Sequence, residues 1–249
     1  YDGGFWADLY THNWAEDSKP LYDTWKYLYK VIVFSNDALT TIDKHKQLLT
    51  DEQYKAYRAE VRAIRALYYY YLMDMFGNIP LVTTAGESTE NADQASRPEV
   101  YRFIVKELQE VTPLLPTGHS NLLGKNYGRV TRSVANFLLA KLMLNGEVYS
   151  DVDWTDNQQP NGKQTYFTIN GQQMNIWQAC KYYCDELTAD GFTLAADYLS
   201  NFSVNNENSP ENIFTIPLDK HLYKSQFQYL FRSRSLSPQD LWLPYFNVT

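Results

Sequence analysis

The stretch AEVRAIRALYYYYLMDMFGNIPLV, residues 59–82, decides the fold of this chain. Side chains on a helix project at intervals of about 100°, so four consecutive tyrosines at 68–71 point in nearly every direction around the axis. A helix that is aromatic almost all round must contact neighbours on more than one side. Gly77 and Pro80 then end it, because proline disfavours a helical conformation in the residue before it. The stretch therefore predicts an inner helix of a layered helical array, followed by an extended exit.

Apolar side chains that recur at steps of three and four predict five helices. They are residues 21–43, Thr50 to about Met75, Pro98 to Pro113, Thr131 or Ser133 to about Tyr149, and Trp177 to Gly191. Thr50 and Gln53 form a capping box at the start of the tyrosine-rich helix. Long polar connections, notably 83–96 and 151–173, separate the later helices. The predicted fold is all-α, with tetratricopeptide-like helix pairs in a superhelical array, long irregular loops and a single domain over residues 1–249.

The composition argues against two classes of protein. The net charge of −7 is opposite in sign to that of nucleic-acid-binding proteins, which neutralise phosphates with Lys and Arg. No apolar run reaches the length of about 18 residues that indicates a membrane span.

With 21 Tyr, 12 Phe and 6 Trp, the chain has more rings than a core can hold. Surplus Tyr and Trp suit a half-hydrated ligand such as a sugar, or a partner protein.

Several reactive or charged side chains are interpreted as structural. Cys180 and Cys184 lie four residues apart on a predicted helix, where we expect small core residues rather than a disulfide or a metal site. Arg65 shares a face with the tyrosines, and a buried guanidinium must be paired. We therefore expect Arg65 to be a hydrogen-bond hub that meets a carbonyl or a carboxylate of a neighbouring helix. The four histidines are scattered without ligand spacing, so neither a metal nor a cofactor is expected.

Four sequence blocks between Trp25 and Pro217 carry a resemblance to a known family. In chain order they are WKYLYKVIVFSNDAL, AEVRAIRALYYYYLMDMFGNIPLV, GRVTRSVANFLLAKLMLNGEVY, and IWQACKYYCDELTADGFTLAADYLSNFS with the later SPENIFTIP. This order resembles the SusD/RagB proteins of Bacteroidetes, which are surface glycan-binding lipoproteins. The second block is the most distinctive of the four. The chain looks like roughly the first half of such a protein and is expected to be incomplete at both ends.

The resemblance implies more than a fold. A SusD-like protein is a mostly helical lipoprotein at the outer surface of the outer membrane. It acts as a lid on a SusC-like TonB-dependent transporter, and it binds oligosaccharides or other nutrients without cleaving them. The cysteine that carries the lipid anchor precedes the domain and is not in this sequence, so membrane attachment is expected only through an anchor outside it.

The amino-terminal segment is the first candidate for a ligand site. Glycan binding needs flat aromatic faces together with side chains that both donate and accept hydrogen bonds. The segment YDGGFWADLYTHNWAEDSKPLY holds the richest such mixture outside the predicted helices. We expect Trp6 and Trp14 to stack on sugar rings, with Tyr10 beside them, and Asn13 and Asp17 to bind hydroxyls. The alternative is that one or both tryptophans pack beneath the first helix.

The carboxyl-terminal tail is a second, lower-ranked candidate. Its potential ligand groups are Tyr223, Tyr229, Arg232, Arg234 and Trp242. A run of this kind can equally form a sheet or a contact with the transporter.

Two other functional classes remain open as alternatives. A tetratricopeptide-type scaffold would hold a peptide in its concave face. A helical glycoside hydrolase would need two carboxylates placed across a glycosidic bond, and sequence spacing does not place any pair that way. No nucleophile-elbow, zinc-protease or phosphate-loop motif occurs in the sequence either. A binding protein without enzymatic activity is therefore favoured.

Overall fold

The computed structural model describes residues 7–86, 92–203 and 206–216. The helices in these ranges are α1 (Ala7–Tyr10), α2 (Lys19–Lys44), α3 (Asp51–Phe76), α4 (Arg97–Val111), α5 (Arg132–Leu144), α6 (Gly146–Ser150) and α7 (Ile176–Ala189). The strands are β1 (Ile79–Pro80), β2 (Gln94–Ala95), β3 (Tyr166–Ile169) and β4 (Gln172–Asn175). Short 3₁₀ turns lie at Lys46–Leu48, Thr112–Leu114 and Tyr198–Phe202. The predicted mostly helical class is confirmed.

Helices α2 and α3 form the first packed pair. The connection 45–50 between them is short, which favours an antiparallel arrangement of neighbours. Helix α2 buries Leu28 and Ile32, as its periodicity predicts. At the start of α3, Thr50 Oγ1 accepts a hydrogen bond from the Gln53 N–H, and Gln53 Oε1 accepts one from the Thr50 N–H. The predicted capping box is therefore confirmed.

Helix α3 lies between α2 and α4 and contacts both. Tyr69 is 0% exposed and Tyr70 is 5% exposed. Tyr68 is half-buried, with its ring centroid 6.1 Å from that of Tyr27 on α2. Tyr71 is 42% exposed. The predicted contact on more than one side is confirmed, and one of the four rings is left at the surface.

The chain that leaves α3 is held against the helices by tyrosine hydroxyls. The Tyr69 hydroxyl donates to the Val82 carbonyl at 2.6 Å and accepts from the Val82 N–H at 2.8 Å. The Tyr29 hydroxyl on α2 donates to the Pro80 carbonyl at 2.7 Å. Strand β1 also pairs antiparallel with β2. The extended exit predicted after Gly77, whose φ is +73°, is therefore fixed by buried hydrogen bonds.

Arg65 is the centre of a buried polar network that joins three helices. Its guanidinium donates to Asn36 Oδ1 on α2 at 2.8 Å, to the Thr83 carbonyl at 3.0 Å and to Glu107 Oε2 on α4 at 2.7 Å. Arg62 Nε also donates to Glu107, at 3.2 Å. Burial alone would raise the pKa of Glu107, but hydrogen bonds from the two arginines outweigh it and hold that pKa below its usual range. The predicted hydrogen-bond hub is confirmed, with both a carbonyl and a carboxylate as partners.

Helices α5 and α7 form a second packed pair, and α4 connects it to the first. Helix α5 buries Val134, Leu138 and Leu142. The predicted helix that extends to about Tyr149 is interrupted at Asn145, where α5 ends and α6 begins. The packing of both pairs is consistent with the predicted tetratricopeptide-like pairing, which remains a prediction.

The buried face of α7 differs from the predicted one. Trp177 is 38% exposed, Cys180 is half-buried and Cys184 is exposed, whereas Ile176 and Tyr183 are buried. The prediction that both cysteines are core residues is wrong for Cys184, because the larger apolar side chains take the buried face and turn Cys184 to the surface. Both thiols are free, and burial, followed by the neighbouring thiol, raises the pKa of Cys180.

A β-hairpin, rather than the expected irregular loop, ends the polar connection that follows residue 151. Strand β3 pairs antiparallel with β4, and Ile169 lies opposite Gln172. Asn170 and Gly171 form the two-residue turn, with φ values of +51° and +79°. Asn-Gly between short strands is the usual signal for a hairpin with a type I′ turn, because both positions need positive φ. The signal was present in the sequence, although the polar strands around it hide the alternation.

The chain divides after Phe214 into a unit of residues 1–214 and a short unit of residues 215–249. Only 215–216 of the second unit belong to the described residues. The single domain over 1–249 therefore stays a prediction.

Replacement of Glu107 by Gln should destabilise the protein by about 3 kcal/mol at neutral pH, because it leaves the buried Arg65 guanidinium without its counter-charge. Urea unfolding followed by circular dichroism measures this loss. Glu110→Gln is the matched control, since Glu110 also meets Arg62 but its side chain is 47% exposed. We expect the control to cost less than about 1 kcal/mol. Equal losses in the two variants would contradict the structural role of Glu107.

The pairing of Glu107 with the arginines also makes the free energy of unfolding depend on pH, and the direction of this dependence can be predicted. The pKa of Glu107 is lowered in the folded protein, so its stabilising effect is complete above the unfolded-state value and is lost as the pH falls through the folded-state value. The difference between wild type and Glu107→Gln should therefore be constant near neutrality and shrink below about pH 4.

Replacement of Tyr69 by Phe should cost about 1–3 kcal/mol, because it removes the only side-chain acceptor that the structure shows for the buried Val82 N–H in the described part of the chain. Tyr71→Phe removes a hydroxyl from a ring that is 42% exposed and should change the free energy of unfolding by less than about 0.5 kcal/mol. Chemical denaturation measures the free energy of unfolding of both variants. A Tyr69→Phe protein as stable as Tyr71→Phe would show that the exit strand does not depend on this hydroxyl.

Candidate functional site

The β3–β4 hairpin is anchored to the helices by one glutamine. Gln109 on α4 donates through Nε2 to the Thr168 carbonyl on β3 and to the Tyr183 hydroxyl on α7, each at 3.2 Å. Two open cavities lie on either side of this contact, and Gln109 and Thr168 line both. We call them the hairpin cleft and the α4 groove.

The hairpin cleft lies between the hairpin, α5 and α7 and has a volume of about 300 Å³. This volume is at the lower limit of roughly 300–1,000 Å³ that is typical of ligand pockets. Besides Gln109, Thr112 and Thr168, its polar lining residues are Arg132 and Asn136 on α5, Asn170 at the hairpin turn, and Tyr182, Tyr183 and Glu186 on α7. The spacing of four residues places Arg132 and Asn136 on the same side of α5.

Two side chains on the α5 wall of the hairpin cleft lack partners within the part of the chain that the structure describes. Arg132 Nε is buried and makes no hydrogen bond there. Asn136 is 3% exposed, and no hydrogen bond of its amide to another described residue is found. Buried polar groups are nearly always hydrogen-bonded, because an unpaired one costs about 1–3 kcal/mol. An arrangement of this kind favours a polar ligand.

The α7 wall of the hairpin cleft carries two tyrosines whose rings meet edge to face, with centroids 5.3 Å apart. Burial raises the pKa of Tyr183 to about 12, although the hydrogen bond with Gln109 opposes the shift. Burial also raises the pKa of Tyr182, and the charge of Glu186 adds to it. Asn170 Nδ2 donates to the Tyr182 hydroxyl at 2.8 Å. Both phenols are therefore neutral at physiological pH and can exchange hydrogen bonds with hydroxyl groups.

The α4 groove has a volume of about 580 Å³ and lies between α4 and strand β3, where it shares Gln109 and Thr168 with the hairpin cleft. The ring of Tyr166 lines it and is 55% exposed. Arg102 and Lys106, one helical turn apart, also line it, and no carboxylate is among its lining residues in the described ranges. Neither cation forms an ion pair within those ranges. The groove thus combines an open aromatic ring with positive charge.

The predicted amino-terminal site is only partly within the described residues. Trp14 is 49% exposed, and its ring centroid lies 5.4 Å from that of His12. Tyr10 is 86% exposed. Asn13 Nδ2 donates to the Thr11 hydroxyl at 3.3 Å. Half of the Trp14 surface is thus open to solvent rather than packed beneath α2.

The remaining predicted site residues add little to this picture. Asp17 is exposed, and Trp6 lies outside the described residues. The tail candidates Tyr223, Tyr229, Arg232, Arg234 and Trp242 also lie outside them. The predicted residues that are described do not line the hairpin cleft or the α4 groove.

Sequence reasoning missed both cavities. Their residues come from α4, α5, the hairpin and α7, which are far apart in the chain. Two signals were nevertheless present: the Asn170-Gly171 dipeptide of the hairpin, and a four-residue spacing of polar side chains on each facing helix. Arg132 and Asn136 have this spacing, and so do Tyr182 and Glu186.

Comparison with known proteins gives consistent results. The profile of a SusD-like family, described as "Starch-binding associating with outer membrane", matches residues 2–144. SusD-like protein P25 of Formosa agariphila is 24% identical over 209 residues, which cover 83% of this chain and 33% of the relative. Starch-binding protein SusD of Bacteroides thetaiotaomicron is 30% identical over 102 residues, which cover 41% of this chain and 17% of that protein. The chain thus spans a third or less of the length of these curated relatives.

Solved structures show the same likeness. A SusD superfamily protein from Parabacteroides distasonis superposes with a TM-score of 0.72 at 24% identity, covering 92% of this chain and 45% of the other. Surface glycan-binding protein A from Bacteroides thetaiotaomicron, solved in complex with laminarihexaose, gives a TM-score of 0.58 at 25% identity. That match covers 78% of this chain and 35% of the other.

Proposed function

The chain belongs to the SusD-like family, and on that basis we propose that the protein binds oligosaccharides at the cell surface without cleaving them and delivers them to a partner TonB-dependent outer-membrane transporter. The family description, which names starch binding and association with the outer membrane, supports the proposal. A relative of 25% identity is named for surface glycan binding and was solved with laminarihexaose.

The observation that carries the proposal is the pair of adjacent cavities around the hairpin. Sugar hydroxyls both donate and accept hydrogen bonds, and the hairpin cleft offers them an unpaired amide at Asn136 and the neutral phenols of Tyr182 and Tyr183. The exposed ring of Tyr166 next to it suits the apolar face of a pyranose. A small number of converging polar groups beside open rings is the usual lining of a ligand site.

The carboxylates in these cavities favour binding over hydrolysis. Glycoside hydrolases of the common type need two carboxyl groups that flank the bond, one of them a general acid. Among the described residues, Glu186 is the one carboxylate that lines the hairpin cleft, and the α4 groove has none. The non-catalytic interpretation therefore fits the chemistry of both cavities.

The amino-terminal segment is proposed as a further stacking surface. Trp14 and Tyr10 present exposed rings, and Trp6 would extend them. Asn13 and Asp17 would bind hydroxyls of the same ligand. Aromatic faces with polar neighbours on an exposed segment can bind one part of a long oligosaccharide while the hairpin cleft binds another.

Attachment to the outer membrane is proposed through a lipid anchor on the longer protein. Within residues 7–86, 92–203 and 206–216, no helix has the length and apolar character that a membrane crossing requires. The family description associates its members with the outer membrane. The alternative, a tetratricopeptide-type scaffold that binds peptides, stays a prediction. The two alternatives differ in their partner, because a transporter lid binds a TonB-dependent barrel and a scaffold binds other proteins.

Affinity electrophoresis through gels that contain starch, laminarin, alginate or polygalacturonate tests glycan binding. We expect at least one polysaccharide to retard the wild-type protein. In that gel, Trp14→Ala should weaken binding by about two- to tenfold, the range that one aromatic contact contributes. Trp154→Ala, at a ring that is 77% exposed and lines neither cavity, is the control. Unchanged mobility in every gel would overturn the proposed function, whereas equal retardation of the two variants would remove Trp14 from the site.

Affinity purification tests the proposed partner. The full-length tagged protein, solubilised from outer membranes of its native host, should retain a TonB-dependent β-barrel that mass spectrometry identifies. An untagged strain is the control for carry-over of abundant barrels. Retention of soluble proteins without a barrel would favour the scaffold alternative.

A further inference from the structure

We propose that the hairpin cleft is a subsite for an acidic sugar, in which Arg132 binds the carboxylate of a uronic acid. The inference rests on the proposed glycan binding and adds to it the chemical class of the ligand.

The first argument is the unpaired guanidinium. Arg132 Nε is buried without a hydrogen-bond partner, and Arg132 has no ion pair within the described ranges. Arg65 Nε also lacks a partner, but the terminal nitrogens of Arg65 bind Asn36, Thr83 and Glu107. Arg62 is paired with Glu107 and Arg129 with Glu60, whereas no side-chain nitrogen of Arg132 has a partner among the described residues. A guanidinium edge binds a carboxylate through two parallel hydrogen bonds, which makes a carboxylate the best matched ligand. Arg132 therefore has no acceptor among the described residues, and a bound ligand can provide one.

The second argument is the position of the nearby acids. Asp190 Oδ2, near the end of α7, accepts a hydrogen bond from the Ser133 hydroxyl at 2.7 Å and is engaged there. Glu186 lines the cleft, but no ion pair between it and Arg132 is found in the described part of the chain. Instead it lies close enough to Tyr182 for its charge to raise the pKa of that phenol. Neither acid neutralises Arg132, so a ligand carboxylate does not have to displace one.

The third argument is the set of groups around the guanidinium. Asn136 lies one helical turn from Arg132 and offers both donors and an acceptor. The Tyr182 hydroxyl accepts from Asn170 Nδ2 and lies beside the Glu186 carboxylate, so it brings a polar oxygen to the same wall. A uronic acid carries hydroxyl groups as well as its carboxylate. The Asn136 amide and the Tyr182 hydroxyl can form hydrogen bonds with those hydroxyl groups. A cleft of about 300 Å³ suits a small unit of this size rather than a long chain.

The fourth argument is the continuation of the site. The α4 groove borders the cleft across the Gln109–Thr168 contact, so a chain-like ligand that passes over this contact would meet both cavities. It brings Arg102 and Lys106 to the next part of the ligand, with the exposed ring of Tyr166 beside them. Positive charge collected in one cavity of a protein with a net charge of −7 raises the local concentration of anions. A polymer with repeated acidic units is attracted electrostatically to the cations in both cavities, whereas a neutral glucan is not.

The subsite is tested with two monosaccharides on the 249-residue chain. D-Glucuronate and D-glucose differ by the carboxylate, and the Nε–H signals of arginines are observed in nitrogen-15 NMR spectra. Titration with D-glucuronate should shift the Arg132 Nε–H signal, and D-glucose should leave it in place. Arg132→Gln assigns the signal, and circular dichroism confirms that the variant is folded. Equal responses to the two sugars, or no response at Arg132, would overturn the subsite.

The polymer experiment separates this inference from the proposed function. Polygalacturonate should retard the protein more strongly than its neutral methyl ester in affinity gels. Arg132→Gln should weaken retention by about tenfold or more, Arg132→Lys less, and the exposed control Lys125→Gln not at all. Retention by starch or laminarin that is insensitive to Arg132→Gln would overturn the acidic subsite and leave glycan binding intact. No retention by any polysaccharide would overturn both.

Discussion

The buried charge of Arg65 constrains the whole helical array. A guanidinium in the interior is tolerated only when acceptors surround it, and here they come from three separate segments. Asn36 supplies one from α2, Thr83 supplies a carbonyl from the exit of α3, and Glu107 supplies a carboxylate from α4. Apolar packing is less directional than hydrogen bonding. The three hydrogen bonds select one register, because each is directional and each loss is expensive.

That register carries through to the ligand cavities. Glu107 and Gln109 are two residues apart on α4, so their side chains point to nearly opposite sides of the helix. Glu107 faces α3 and fixes the rotation of α4, and Gln109 consequently faces the hairpin and Tyr183. The hairpin strand is held by the Thr168 carbonyl at the place where both cavities meet. The packing of the helical core thus determines where the hairpin contacts α4. The hairpin in turn forms part of the walls of both cavities.

The sequence predicts the parts of this structure that depend on local rules. The Thr50–Gln53 capping box, the end of α3 near Gly77 and the pairing of Arg65 follow from spacing and from the cost of a buried charge. The cavities do not follow from such rules, because Gln109 and Tyr183 meet only after α4 and α7 have packed. The face of α7 was misjudged for a related reason. Its periodicity allows two neighbouring faces, and the competition between side chains for buried volume decides between them.

An unpaired buried group is a cost that the free protein bears. Arg132 Nε makes no hydrogen bond to the described residues, and a buried group left unpaired in this way typically costs about 1–3 kcal/mol, whereas three acceptors engage the terminal nitrogens of Arg65. A ligand that supplies the missing acceptors recovers this free energy on binding, so the preformed cleft converts a loss of stability into affinity. The same reasoning explains selectivity. A ligand without an anionic group leaves the Arg132 guanidinium as poorly paired as before, and so it binds without that gain.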